Sequence, residues 1–160
     1  MFMKTVIALV IFICGITAPG QTRSYESPNK NYRALVVPVG ARGYENHESR
    51  LEIRGPSGVL VRRRDFASRD HNHGEGVDHA EWTSDGQFFV FTTSSSGGHQ
   101  PWHVATYFYS VKSNRLYSLD SLVGDITSDF TLRGDMLLTT RMGATADDKK
   151  PITIRLKSWR

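Results

Sequence analysis

A recurring unit of about 50 residues constrains this chain more than any other feature of its sequence, because a repeat dictates how a core is shared. The clearest copy spans residues 81–119. Glu81-Trp82-Thr83-Ser84-Asp85-Gly86-Gln87-Phe88-Phe89-Val90-Phe91 gives an aromatic, a tight Asp-Gly turn and an apolar strand. Val104 to Tyr109, a second turn at Lys112 to Arg115, and Leu116 to Leu119 complete it. Moved back 56 positions, Asp85 to Phe88 fall on Asn29-Lys30-Asn31-Tyr32, and Val90 and Phe91 on Ala34 and Leu35. The same offset, applied without a gap, sets Tyr107 and Tyr109 on Leu51 and Ile53, the turn 111–114 on Gly55-Pro56-Ser57-Gly58, and His103 on His47. Moved forward 48 positions, Trp82 falls on Phe130, Gly86 on Gly134, Phe88 to Val90 on Met136 to Leu138, and Val104 and Phe108 on Ile152 and Leu156.

Local chemistry supports strands throughout. Leu51 to Arg54 and Ile152 to Lys157 alternate apolar and polar, as half-buried strands do. Leu35 to Val37 and Phe88 to Phe91 are continuous apolar runs suited to strands covered on both faces. Asp85-Gly86 and Gly55-Pro56-Ser57-Gly58 carry turn chemistry. No stretch beyond residue 20 sustains a 3.6-residue period, so almost no helix is expected.

Trp82-Thr83-Ser84-Asp85-Gly86-Gln87 resembles the Trp-Ser-Pro-Asp-Gly signature of WD-repeat-like β-propeller blades, of the kind found in TolB-type propellers and the propeller domains of prolyl-oligopeptidase-like enzymes. Ser27-Pro28-Asn29-Lys30 is a second, weaker copy. The resemblance implies an all-β, antiparallel fold of about three propeller-like β-sheet repeats (25–66, 81–122 and 129–160), a partial propeller. Closed rings need about four to eight blades, so the alternatives are a β-sandwich or barrel, or a half-propeller completed as a homodimer. It further implies docking of proteins or ligands on one face, with no family active site to transfer.

Residues 1–20 read as an export signal. Lys4 gives the positive start, Thr5 to Cys14 is apolar but short for a span, and Ala18-Pro19-Gly20 precedes a cut before Gln21. A lipoprotein signal ending at Cys14 is the rival, against which bulky Ile13 stands; an uncleaved anchor is the other. The expectation is a periplasmic or secreted protein, one domain over residues 21–160, with no transmembrane segment left after cleavage. Cys14, the one cysteine, leaves with the signal, which excludes disulfides, thiol nucleophiles and thiolate metal sites from the remainder. The formal charge of +4 is small, and with export it argues against nucleic-acid binding. Its sharpest concentration is Arg62-Arg63-Arg64, read most simply as a solvated strand end and otherwise as a contact for an anionic polymer or surface of the envelope.

Two loops carry candidate chemistry. His71-Asn72-His73-Gly74-Glu75-Gly76-Val77-Asp78-His79 holds three histidines and two carboxylates, ligand types for zinc or another divalent metal. His71, His73, Asp78 and His79, or Glu75 in place of Asp78, would form the set, with metal-dependent hydrolysis as the chemistry open to it. The simpler reading is a solvated polar loop, with no cofactor. Ser94 to His103 places Trp102 between His99 and His103 after a run of small residues, an arrangement fit to hold a peptide, protein or carbohydrate ligand of the envelope. There the simpler reading folds Trp102 onto the core. Gly-x-Ser-x-Gly is absent, and Gly40-Ala41-Arg42-Gly43 lacks the rest of a phosphate loop, so neither a serine hydrolase nor a nucleotide site is expected. The reading is therefore an exported, non-catalytic binding protein, with metalloprotein as its rival.

Overall fold

The computed structural model describes residues 20–39, 48–96, 103–145 and 147–159. The described strands form three antiparallel sheets of four, four and three strands and no closed barrel. The first holds β1 (Arg23–Glu26), β2 (Arg33–Pro38), β3 (Ser49–Arg54) and β4 (Leu60–Asp65). The second holds β5 (Glu75–Trp82), β6 (Phe88–Ser95), β7 (Ala105–Ser110) and β8 (Arg115–Ser118). The third holds β9 (Thr131–Arg133), β10 (Met136–Met142) and β11 (Lys149–Arg155). Each is a meander in which every strand pairs with the next along the chain.

The sheets stack with the second in the middle. Successive strand residues point to opposite faces, so β6 feeds two cores at once. Phe89 and Phe91 join Ala34, Val36, Leu51, Ile53 and Trp82 between the first and second sheets. Phe88 and Val90 join Phe108, Phe130, Leu137 and Ile154 between the second and third. None of these four β6 residues is more than 2% exposed, and each such burial contributes roughly 1.5–3 kcal/mol. The Trp82 indole crosses the first gap by donating from Nε1 to the Tyr25 carbonyl at 2.9 Å.

The turns opening the first two units are built alike. Thr83 Oγ1 donates to Asp85 Oδ1 (2.7 Å), which also accepts from the Gln87 N–H (3.1 Å), while the Phe88 N–H reaches Thr83 Oγ1 (3.0 Å). Ser27, Asn29, Asn31 and Tyr32 repeat these bonds at 2.8, 3.1 and 2.9 Å. Gly86, Lys30 and, in the third unit, Gly134 share a positive φ of 64°, 57° and 64°.

The gapless alignment fails beyond the second strand. Ala34 pairs with Ile53 where its equivalent Val90 pairs with Phe108, an offset of 55 rather than 56. In the third unit Leu137, the equivalent of Phe89, pairs with Ile154 where Phe89 pairs with Tyr109, so the later strand is offset by 45 rather than 48. Loops of different length between the second and third strands absorb the difference. The expectation of almost no helix also needs one correction: Leu119–Val123 forms α1, capped by Ser118, whose side chain accepts from the Ser121 N–H.

The outer face of the first sheet departs from the repeat in composition. Where the second sheet sets Phe89, Tyr107 and Tyr109 against its neighbour, the first has Arg33, Glu52 and Arg54. Glu52 lies between Arg50 (3.2 Å) and Arg54 (2.7 Å), and Arg33 reaches Glu26 (3.2 Å). Such ion pairs suit a solvent-facing end of a stack.

A candidate functional site at the loop end of the stack

At the end of the stack from which β3 sets out, Glu48 is buried at 1% exposure. Its carboxylate accepts from the Ser68 N–H (3.1 Å) and Oγ (2.7 Å), the Gly74 N–H (2.6 Å) and Ser96 Oγ (3.0 Å). Burial alone would raise its pKa, but the bonds from Ser68, Gly74 and Ser96 outweigh it and hold the group below the ordinary glutamate value. One side chain thereby fastens the 66–74 loop and the end of β6 to the start of β3. Gly74 is required for this: a Cβ there would lie 2.5 Å from the Ser68 nitrogen, 2.6 Å from the Phe66 oxygen and 2.7 Å from Glu48 Cδ.

The histidines of the expected metal cluster are dispersed. His71 Nδ1 stands 3.4 Å from Glu48 Oε2. His73 Nδ1 is 2.6 Å from Asp70 Oδ2, and Asp70 itself is held well below the usual carboxylate range by Ser68, Asn72 and His73. His79 lies where the β5–β6 register shifts between Val77 and Ala80. It turns to the third sheet instead, with Nδ1 2.9 Å from Asp129 Oδ1 and its ring stacked on Phe130 at 4.3 Å. The Asp78 side chain is exposed, and its carbonyl accepts from Arg23. Glu75 accepts from Thr93 Oγ1 at 2.7 Å. Among the described residues no three His, Cys, Asp or Glu side chains group as metal ligands would.

Of the expected ligand-binding trio, His99 and Trp102 lie outside the described residues, as do His47 and residues 1–19 with Cys14. His103 is described and half-buried where the chain re-enters β7. Ser96, bound to Glu48 and to the Gly74 carbonyl (3.1 Å), is the last described residue before the 97–102 segment. Sequence reading did not single out Glu48, because its partners lie 20, 26 and 48 positions away.

The structure adds a second concave feature at the outer margin of the stack. A groove of about 380 Å³ runs between β4 and β8, lined by Arg62, Arg63, Arg64, Tyr107, Arg115 and Leu116, with Tyr117 and Ser118 closing its end.

No known family profile matches the sequence, and no curated protein matches it. Solved structures align with much of the chain at low identity. A prolyl endopeptidase aligns with 86% of this chain at 15% identity and a TM-score of 0.48, and the chain spans 19% of that protein. TolB from Acinetobacter baumannii aligns with 89% at 14% identity and a TM-score of 0.45, with 31% of its own length covered. A protein described as a conserved lipoprotein, from Clostridium novyi NT, aligns with 87% at 10% identity and a TM-score of 0.44, with 88% of its length covered. No functional residue is carried over from any of them. No described helix is long and apolar enough to cross a membrane.

Proposed function

We propose that the chain is an exported, non-catalytic binding protein of the periplasm or cell exterior. Its propeller-like sheets would form a rigid stand for the 71–79 and 94–103 loops. The observation that carries this reading is the Glu48 anchor, which ties the roots of both loops to one buried carboxylate. Loop roots fixed in this way lower the entropy lost on binding. Trp102 would supply apolar contact, and His99 and His103 would orient the polar groups of a peptide, protein or carbohydrate.

Selection of peptides from a random phage-displayed library on the purified protein tests the reading. Selected peptides should lose binding to Trp102→Ala while its melting temperature stays unchanged. Peptides that bind Trp102→Ala equally well would overturn the role given to this loop. The metal-binding alternative, with His71, His73, Asp78 and His79 around zinc or another divalent ion, is open to elemental mass spectrometry of protein purified without chelators. About one metal per chain would establish it in place of the peptide-binding reading.

A further inference from the structure

We infer that the groove between β4 and β8 binds a phosphodiester-linked polyol or sugar chain, a second site separate from the loop end. Strand pairing places Arg62 opposite Ile53 and Arg64 opposite Leu51, both core residues. Arg62 and Arg64 therefore share the face directed at the second sheet, two residues apart on one strand, about 7 Å at the usual rise. Arg63 faces the other way and is paired with Asp65 at 3.2 Å. Arg115, exposed on the edge strand β8, lines the groove from the strand edge, its pairing with Ser110 setting it on the same face as Tyr117.

Four arginines thus line the groove, with Arg62 and Arg64 on the face directed at the second sheet, and no carboxylate is among the lining residues. The acidic groups nearest in the fold are engaged elsewhere. Asp65 holds Arg63, Glu75 takes the Thr93 hydroxyl, and Asp120 accepts the Thr106 and Ile126 N–H groups at 3.0 Å each. Arg64 is steadied over the Phe66 ring, 5.7 Å from its centroid. Arg62 is fixed by donation from Nη2 to the Asn114 carbonyl, yet its Nε is buried with no acceptor. A buried donor left without an acceptor is costly, and an anion oxygen would satisfy it. Arginine forks recognise phosphate in pairs of hydrogen bonds.

Two arginines on one face of a strand suit successive phosphates of such a chain, and Tyr107 and Leu116 offer the unit between them an apolar floor. Nucleic acid fits less well, because single-strand binding needs free aromatic faces for the bases. Tyr107 is stacked on Phe91 at 5.4 Å, and Tyr117 on Phe108 at 5.0 Å.

The test uses a synthetic glycerol-phosphate hexamer, titrated calorimetrically against the purified protein. The expected result is saturable binding that weakens as salt is raised and falls at least 10-fold in Arg115→Glu. An Arg64→Gln variant, checked for an unchanged melting temperature, should fall similarly. Arg133→Gln with Arg155→Gln, which removes charge from the third sheet, should bind as the parent does. The proposal is overturned if the hexamer does not bind, or if the third-sheet variant loses as much as the groove variants. Equal binding of an oligogalacturonate would show that anionic charge alone suffices, and equal binding of a thymidine hexanucleotide would replace the polyol chain with nucleic acid; either would overturn the ligand assigned here.

Discussion

Asn29 and Asp85, 56 positions apart, hold the same place in two copies of one turn: each carboxamide or carboxylate Oδ1 joins a hydroxyl two residues before it to an N–H two residues after it. The two turns also touch, since a Cβ on Gly86 would come within 2.9 Å of Asn29 Nδ2. Asp85 alone extends the contact to a further unit, through Lys157 at 3.1 Å, which also stands 3.6 Å from Asp135.

That difference sets the first expectation. Asp85→Ala should destabilise by about 1.5–3 kcal/mol, as charged hydrogen bonds do, against about 0.5–1.5 kcal/mol for Asn29→Ala. Urea unfolding of the two variants measures the difference, and equal losses would show that the Lys157 bridge contributes nothing.

Glu48 predicts an acid-sensitive loop end. Its folded-state pKa lies below the ordinary 4.5. It therefore contributes stability that is complete above that value and is lost as pH falls through the lower, folded-state value. Glu48→Gln would turn an amide NH₂ towards donors, and breaking the network should cost roughly 2–4 kcal/mol at neutral pH. Melting curves from pH 7 to pH 3 should show a smaller acid loss in the variant than in the parent. Parallel curves would remove Glu48 from the acid response.

Gly74→Ala isolates space from charge. The added methyl has no room against Ser68, Phe66 and Glu48, and overpacking of this kind costs about 1–3 kcal/mol. Hydrogen exchange should quicken at the amides of residues 66–76 more than in β6. Unchanged protection in the loop would mean that the glycine is not needed for the anchor.

How far the sequence reaches can be judged from the same residues. Asp85-Gly86 and the run Phe88 to Phe91 declare a turn and a doubly covered strand through local chemistry alone, and both are where they were expected. A gapless shift sets Tyr107 and Tyr109 against the wrong partners because a strand's faces alternate every residue, so one extra loop residue inverts the match, and loop length leaves no mark on composition. Five residues of α1 are too few to show a helical period. The 71–79 histidines read as a cluster because they are close in sequence, whereas the β5 register shift sends His79 to another sheet. Arg62 to Arg64 were visible as a run, but nothing local announced Arg115 at the groove.

The meander order of all three sheets bears on how the chain folds. Each strand pairs with its successor, so hairpins close over short spans at small entropic cost and early in folding. The slower step is stacking. The middle sheet carries Phe89 and Phe91 on one face and Phe88, Val90 and Phe108 on the other, and neither face is covered until a neighbour docks. A chain interrupted after β8 would hold a formed sheet with a bare aromatic side, the kind of intermediate that aggregates.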